Sequence, residues 1–292
     1  MKWEGVWAAV ITPFKEGRLD EEAFGRLIDH LVAGGIDGLV PCGTTGESAT
    51  LTHEEHEAVI RACLARAKGR VPVVAGTGSN STSESIALTR AAKEAGADAA
   101  LLITPYYNKP TQEGLYRHYR AVAEAVDIPI VLYNVPGRTA VDMKPETVAR
   151  LAEIPNIVAI KEATGDMQRA SQIRVLCGDR ITLFSGDDAT FFPFLAVGGK
   201  GCISVVANIA PRRIAALWQA WKRGDLVAAR AEHEALLEIN GLLFCETSPI
   251  PVKAAAEMLG LAGPEIRMPL TPITEANRQR LRRSMETLGL FA

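Results

Sequence analysis

Short apolar, β-branched runs alternate with longer stretches of helical period over the first three quarters of the chain. The apolar runs cover residues 6–11, 38–40, 71–75, 99–103, 129–133, 157–161, 181–184 and 201–205. Their nearly continuous hydrophobicity predicts parallel strands covered on the outside by helices. Between them lie helix start signals. Asp20 precedes Glu21 and Glu22, Thr111 follows Pro110, and Pro145 suits a first helical turn. Thr52 with Glu55, and Ser81 with Glu84, carry the spacing of capping boxes. Gly34-Gly35, Gly69, Gly96, Gly178 and Gly224 supply stop signals.

Eight such β-then-α units predict an α/β fold, a (β/α)8 TIM barrel over residues 1–224. A doubly wound open sheet competes, but the first run ends in Thr12-Pro13-Phe14 with no GxGxxG turn, and eight unbroken units favour closure. The remainder, residues 225–292, reads as a three-helix C-terminal extension packed on the barrel, with helices near 226–240, 249–259 and 274–288.

Composition narrows the class. Lys plus Arg total 32 and Asp plus Glu total 34, so the net charge of −2 argues against a nucleic-acid partner. A hydrophobic fraction of 48% argues against disorder. No apolar run approaches the ~20 residues of a membrane span. The N-terminal stretch has Glu4 and no small-residue cleavage site, which predicts a cytoplasmic protein without a signal peptide. The five cysteines form no CxxC pair, so neither a zinc cage nor a disulfide framework is expected; Cys42 and Cys202 read as small buried hydrophobes.

In such barrels the active site forms at the C-terminal ends of the strands. Among the residues there, Lys161 is the one potential amine nucleophile. It shares a strand face with small Ala159, and burial would favour its neutral form, which can add to a ketone as a Schiff base. The bland alternative is a lysine snorkelling to solvent. Tyr133 ends the preceding strand at the same level, where its phenol could shuttle protons to the imine; otherwise it is a core aromatic. Gly43-Thr44-Thr45-Gly46-Glu47 could cradle a small carboxylate with backbone N–H groups and hydroxyls, or be a tight turn whose Glu47 serves backbone donors. Arg138 offers bidentate carboxylate capture, against a surface ion pair. His53-Glu54-Glu55-His56 lacks the HExxH spacing and reads as a capped helix start. Gly198-Gly199-Lys200-Gly201 precedes a strand and reads as a turn rather than a P-loop. No metal and no cofactor are expected.

Taken together, Gly43-Thr44-Thr45-Gly46-Glu47, Tyr106-Tyr107-Asn108-Lys109-Pro110, Tyr133 to Thr139, Ile160-Lys161-Glu162, Ser185-Gly186-Asp187 and Pro249-Ile250-Pro251-Val252-Lys253 make the sequence resemble the dihydrodipicolinate synthases. These belong to the pyruvate-dependent class I aldolases, which include N-acetylneuraminate lyase. The resemblance spans nearly the whole chain. It implies a lysine Schiff base between Lys161 and pyruvate, and condensation with L-aspartate 4-semialdehyde in lysine and diaminopimelate biosynthesis. Thr44 and Thr45 would hold the pyruvate carboxylate and, with Tyr133, form the proton relay. Tyr107 would complete the relay across a subunit interface, which implies a homo-oligomer, usually a tetramer. Gly186 and the Ile203 backbone would line the pyruvate pocket, and Arg138 would bind the second substrate.

Arg138 also separates this branch from the lyases, which lack the Gly-Arg-Thr pattern. Ser248 departs from the Asn more common before Pro249; both residue types can cap a helix. The resemblance further implies an L-lysine inhibitor site at Ser48, Ala49, His53, His56, Asn80, Glu84 and Tyr106. Two alternatives stand beside this reading: another pyruvate aldolase of the same family with a different aldehyde, and a non-catalytic ligand-binding barrel.

Overall fold

The computed structural model describes residues 2–291. Eight parallel strands form its centre: β1 (Gly5–Ala9), β2 (Gly38–Val40), β3 (Val74–Gly76), β4 (Ala99–Ile103), β5 (Ile130–Asn134), β6 (Ile157–Glu162), β7 (Thr182–Ser185) and β8 (Gly201–Ser204). The ladder runs β2-β1-β8-β7-β6-β5-β4-β3. Its two ends meet through a parallel Leu39–Val73 bridge. The Leu39 and Gly76 N–H groups donate to Pro72 O and Pro41 O, each at 2.9 Å. The sheet is therefore a barrel rather than an open doubly wound sheet.

The third strand lies later than the apolar run 71–75 suggested. Pro72 has no N–H for the ladder, so only Val73 bridges before the strand proper begins at Val74. A two-stranded hairpin, Phe14–Lys15 with Arg18–Leu19, was not visible in the periodicity because each arm has two residues. Its turn residues Glu16 and Gly17 have φ of 53° and 76°, as a tight two-residue hairpin turn requires.

Alternate strand positions fill the barrel interior with Trp7, Ala9, Val40, Val74, Leu101, Val131, Tyr133, Ala159, Phe184 and Ile203. Trp7 stacks on Trp3 and meets Phe184 edge to face, with centroids 5.7 Å apart in both pairs. Gly38 makes room for it, since a Cβ there would lie 2.5 Å from the indole. Polar interior positions are thereby left to the opposite, C-terminal mouth.

Outside the strands, a second core joins barrel helices to three C-terminal helices, Leu226–Leu242, Ile250–Met258 and Glu275–Thr287. Leu236, Ile239, Val252, Leu281 and Met285 share it with Phe24, Leu27 and Ile60. Among the described residues, no helix is long and apolar enough to cross a membrane.

Closure depends on small residues at β3. A Cβ on Gly76 would lie 2.2 Å from Cys42 O and 2.6 Å from Cys42 C, both backbone atoms. Gly137, by contrast, has nothing within 4 Å. Gly76→Ala should cost about 3 kcal/mol or prevent folding, since overpacking against backbone has no cheap relief. Gly137→Ala should be near neutral. Denaturant melts of the two variants check this, and equal stabilities would refute the closure argument.

Candidate active site

The parallel register of β5 and β6 pairs Tyr133 with Lys161 and Asn134 with Glu162. Side chains alternate across a strand, so the first pair faces the interior and the second faces the helices. Lys161 is 5% exposed and its Nζ lies 4.2 Å from the Tyr133 ring centroid. Among the described residues no carboxylate lies within ion-pair distance of Lys161. Its sequence neighbour Glu162 is engaged elsewhere: it accepts from Arg169 Nε at 2.9 Å, Asn134 Nδ2 at 3.2 Å and Thr164 N at 3.0 Å.

That outer cluster also fixes the loop after β5. Arg169 reaches Asp142 at 3.1 Å and donates to Met143 O, while the Met143 N–H donates to Asn134 Oδ1 at 3.0 Å. Arg138 stands on the short helix Pro136–Thr139 inside this loop. Its Nη2 donates to Ser248 O at 3.1 Å, so it is drawn toward the C-terminal extension rather than into a surface ion pair.

Gly186 follows β7 and packs on the lysine. A Cβ there would meet Ala163 Cβ at 2.6 Å and Lys161 Cε and Cγ at 3.1 Å. Ile203 on β8 is buried in the same interior cluster as Tyr133 and Ala159. The turn after β2 is closed by Gly46 N–H to Gly43 O (3.0 Å) and Glu47 N–H to Thr44 O (3.1 Å). Thr45 is buried, and Thr44 faces a cavity of about 440 Å³.

Arg138, Ile103, Gly78 and Ser248 also line this cavity. Lys161 and Tyr133 are not among its lining residues, but Ile103 is the register partner of Tyr133, which puts the wall one strand from the phenol and two from the amine. The cavity continues to Ser48, Ala49, His53, His56, Glu84 and Tyr106. Six of the seven residues expected to bind an amino-acid inhibitor thus surround one space. Asn80 does not line it; its carbonyl accepts from Asn108 Nδ2 at 2.9 Å. Tyr107 is not gathered in either: it is 89% exposed, with a left-handed φ of 69°.

Two capping expectations change. Thr52 and Glu55 form a complete capping box. Ser81 accepts from Glu84 N, but the Glu84 carboxylate does not return the bond. It turns to the Ser79 hydroxyl and to His53 Nε2, the latter at 2.8 Å, and these two partners hold it below the usual carboxylate range. Ser248 caps nothing: Pro249 is the N-cap of the helix Ile250–Met258, with no side-chain bond, and Ser248 contributes its carbonyl to Arg138.

Sequence reasoning missed the partners of Glu47. Rather than serving only backbone donors, its carboxylate accepts from Lys253 Nζ at 2.5 Å and Arg267 N at 3.0 Å. Lys253 stood in the quoted Pro-Val-Lys run without a role, and nothing in the local pattern singles out Arg267. The Arg267 guanidinium grips Glu55 with two bonds, at 2.6 and 2.7 Å, and Thr50 O at 2.9 Å.

Fold and site define an α/β barrel of the aldolase type, with a buried strand-end amine beside a phenol and a glycine-flanked turn at the same mouth. The dihydrodipicolinate synthetase family model matches residues 2–288. A 4-hydroxy-tetrahydrodipicolinate synthase of Magnetococcus marinus is 61% identical over 99% of each chain. The chloride-inhibited dihydrodipicolinate synthase of Acinetobacter baumannii, solved with pyruvate, is 46% identical with a TM-score of 0.97, covering 99% of this chain and all of that one. The lysine-bound enzyme of Cyanidioschyzon merolae is 40% identical with a TM-score of 0.96 over 99% of both chains. The chain belongs to the dihydrodipicolinate synthetase family.

Arg267 holds the Glu55 carboxyl at about 2. A depressed carboxylate stabilises the fold above its ordinary value of about 4.3, and that stabilisation fades as pH falls toward 2. Arg267→Met should therefore lower the urea midpoint most at pH 7, with the gap from the parent protein narrowing at pH 3. An equal gap at both pH values would refute the charge assignment.

Proposed function

We propose that the chain condenses pyruvate with L-aspartate 4-semialdehyde to give 4-hydroxy-tetrahydrodipicolinate, the committed step of diaminopimelate and lysine biosynthesis. The observation that carries the reading is Lys161, a buried amine with no ion-pair partner among the described residues, packed on Tyr133 and covered by Gly186. With no carboxylate tied to it, the amine is sterically available to add to a carbonyl.

Lys161 Nζ adds to C2 of pyruvate, and loss of water gives the imine. Loss of a C3 proton gives the enamine, whose carbon attacks the aldehyde of the second substrate. The amino group of that substrate then adds to C2, closes the ring and releases Lys161. Tyr133 and Thr44 relay the protons, while backbone donors at Thr44-Thr45 hold the pyruvate carboxylate beside Gly186 and Ile203. Arg138 pairs with the carboxylate of the semialdehyde. Tyr107 completes the relay in a second copy of the chain, within a tetramer built as a dimer of dimers. Its exposure in the single chain and its left-handed backbone support a side chain held out for a neighbour.

Borohydride treatment with pyruvate should leave a reduced adduct on Lys161, found by peptide mass mapping; an unmodified Lys161 would refute the reading. Lys161→Ala should lower kcat at least about 10⁴-fold. Arg138→Leu should raise the KM for the semialdehyde by roughly 10- to 100-fold, as expected for losing hydrogen bonds to a charged group, and leave that for pyruvate nearly unchanged.

The cavity beside the turn supports regulation by L-lysine. Glu84 and His53 offer groups for the ammonium ends, and Tyr106 a phenol for the carboxylate. Millimolar lysine should inhibit, and Glu84→Gln should raise the half-inhibitory concentration about ten-fold. Undiminished activity of the parent enzyme in lysine would dismiss the effector site.

A further inference from the structure

Two lysines are buried at the C-terminal mouth, and the proposed chemistry uses one. The other, Lys253 on the helix Ile250–Met258, has a side chain 2% exposed. Its Nζ donates to Thr12 O at 3.0 Å and to Glu47 Oε1 at 2.5 Å, with the Phe14 ring centroid 4.4 Å away. These acceptors belong to the loops after β1 and β2. Thr12 in turn donates its hydroxyl to Gly46 O at 2.7 Å. One ammonium thus grips residues 43–47 twice, directly at Glu47 and through Thr12 at Gly46.

The turn has little freedom besides. A Cβ on Gly46 would come within 3.1 Å of both Cys42 N and Val10 O, so the backbone sits close against the strand ends. Glu47 is held at a left-handed φ of 57°, a strained position for a residue with a side chain, and the ion pair supplies the restraint. Burial lowers the Lys253 pKa and the Glu47 charge opposes that shift.

We propose that Lys253 is a positioning residue for pyruvate: through Glu47 and Thr12 it sets the backbone donors and hydroxyls of Thr44-Thr45 against the substrate carboxylate. The proposal rests on reading that turn as the carboxylate cradle. A merely structural staple between helix and barrel would affect stability and all kinetic constants together.

The test uses Lys253→Met, the double variant Glu47→Gln/Lys253→Met, which leaves no unpaired buried charge, and Thr12→Val, which removes only the hydroxyl link. Half-saturation of borohydride trapping by pyruvate is measured alongside kcat and both KM values. Misplacement of the cradle should raise the pyruvate half-saturation about ten-fold or more in the lysine variants and about three-fold in Thr12→Val. The semialdehyde KM should stay within about three-fold of the parent. Half-saturation within two-fold of the parent in the double variant and in Thr12→Val overturns the proposal. So does a common fall in kcat and both affinities. If the parent enzyme itself traps no pyruvate on Lys161, the functional reading fails instead, and the two failures are distinct.

Discussion

Everything at the mouth of this barrel depends on the register between β5 and β6. One residue pair, Tyr133 with Lys161, faces in; the next, Asn134 with Glu162, faces out. A slip of one residue would exchange them, putting a carboxylate among Trp7, Val131 and Phe184 and an amine among the helices. The outer pair resists that slip. Glu162, Asn134 and Arg169 form a buried hydrogen-bonded cluster that reaches out to the exposed Asp142, and opening a buried pair by losing one partner costs roughly 3–5 kcal/mol. The charges that hold the register are thus kept one residue away from the amine that the register presents.

The same separation governs the other buried charges. Lys253 and Glu47 neutralise each other with side chains 2% exposed, and Glu162 is matched by Arg169. Lys161 alone of these groups has no acid partner among the described residues. An ammonium paired with a carboxylate, as Lys253 is with Glu47, is tied up in that contact, which suits a staple and not a nucleophile. The two lysines have the same chemistry and nearly the same burial, but among the described residues only Lys253 has a carboxylate within reach, which is what separates their proposed roles.

Much of this was legible in the chain because it follows from period. The alternation of apolar runs carried the barrel, its eight strands and the three C-terminal helices, with edges displaced by a residue or more where Pro72 interrupts a ladder. The interior face of Lys161 and Ala159 followed from a two-residue repeat. What stayed hidden depends on long-range meetings without a local signature. Lys253 meets Thr12 across 241 positions, and Arg267 meets Glu55 across 212. Capping signatures were half informative for a related reason. The Thr52 box closes locally, whereas the Glu84 carboxylate is taken by Ser79 and by His53 from a neighbouring helix, which no spacing rule describes.

The placement of those long-range contacts bears on how an effector could act. In the proposed function the segment from Thr44 to His53 belongs to both sites: its first residues would form the carboxylate cradle, and Ser48, Ala49 and His53 line the cavity beside it. No long chain of intermediaries is needed between them, since they share a backbone. An effector that binds one arrangement of residues 48–53 more tightly than another shifts the population toward it by that difference alone. The shift reaches Thr44-Thr45 only to the extent that Glu47 yields, and Glu47 is gripped by Lys253 and by the backbone of Arg267. Arg267 also takes Thr50 O and Glu55 on the far side of the cavity segment. The C-terminal extension therefore grips the segment that the two proposed sites share. On that reading the stiffness of its grip would set both how well the cradle is formed without effector and how much of the effector's differential binding the cradle could feel.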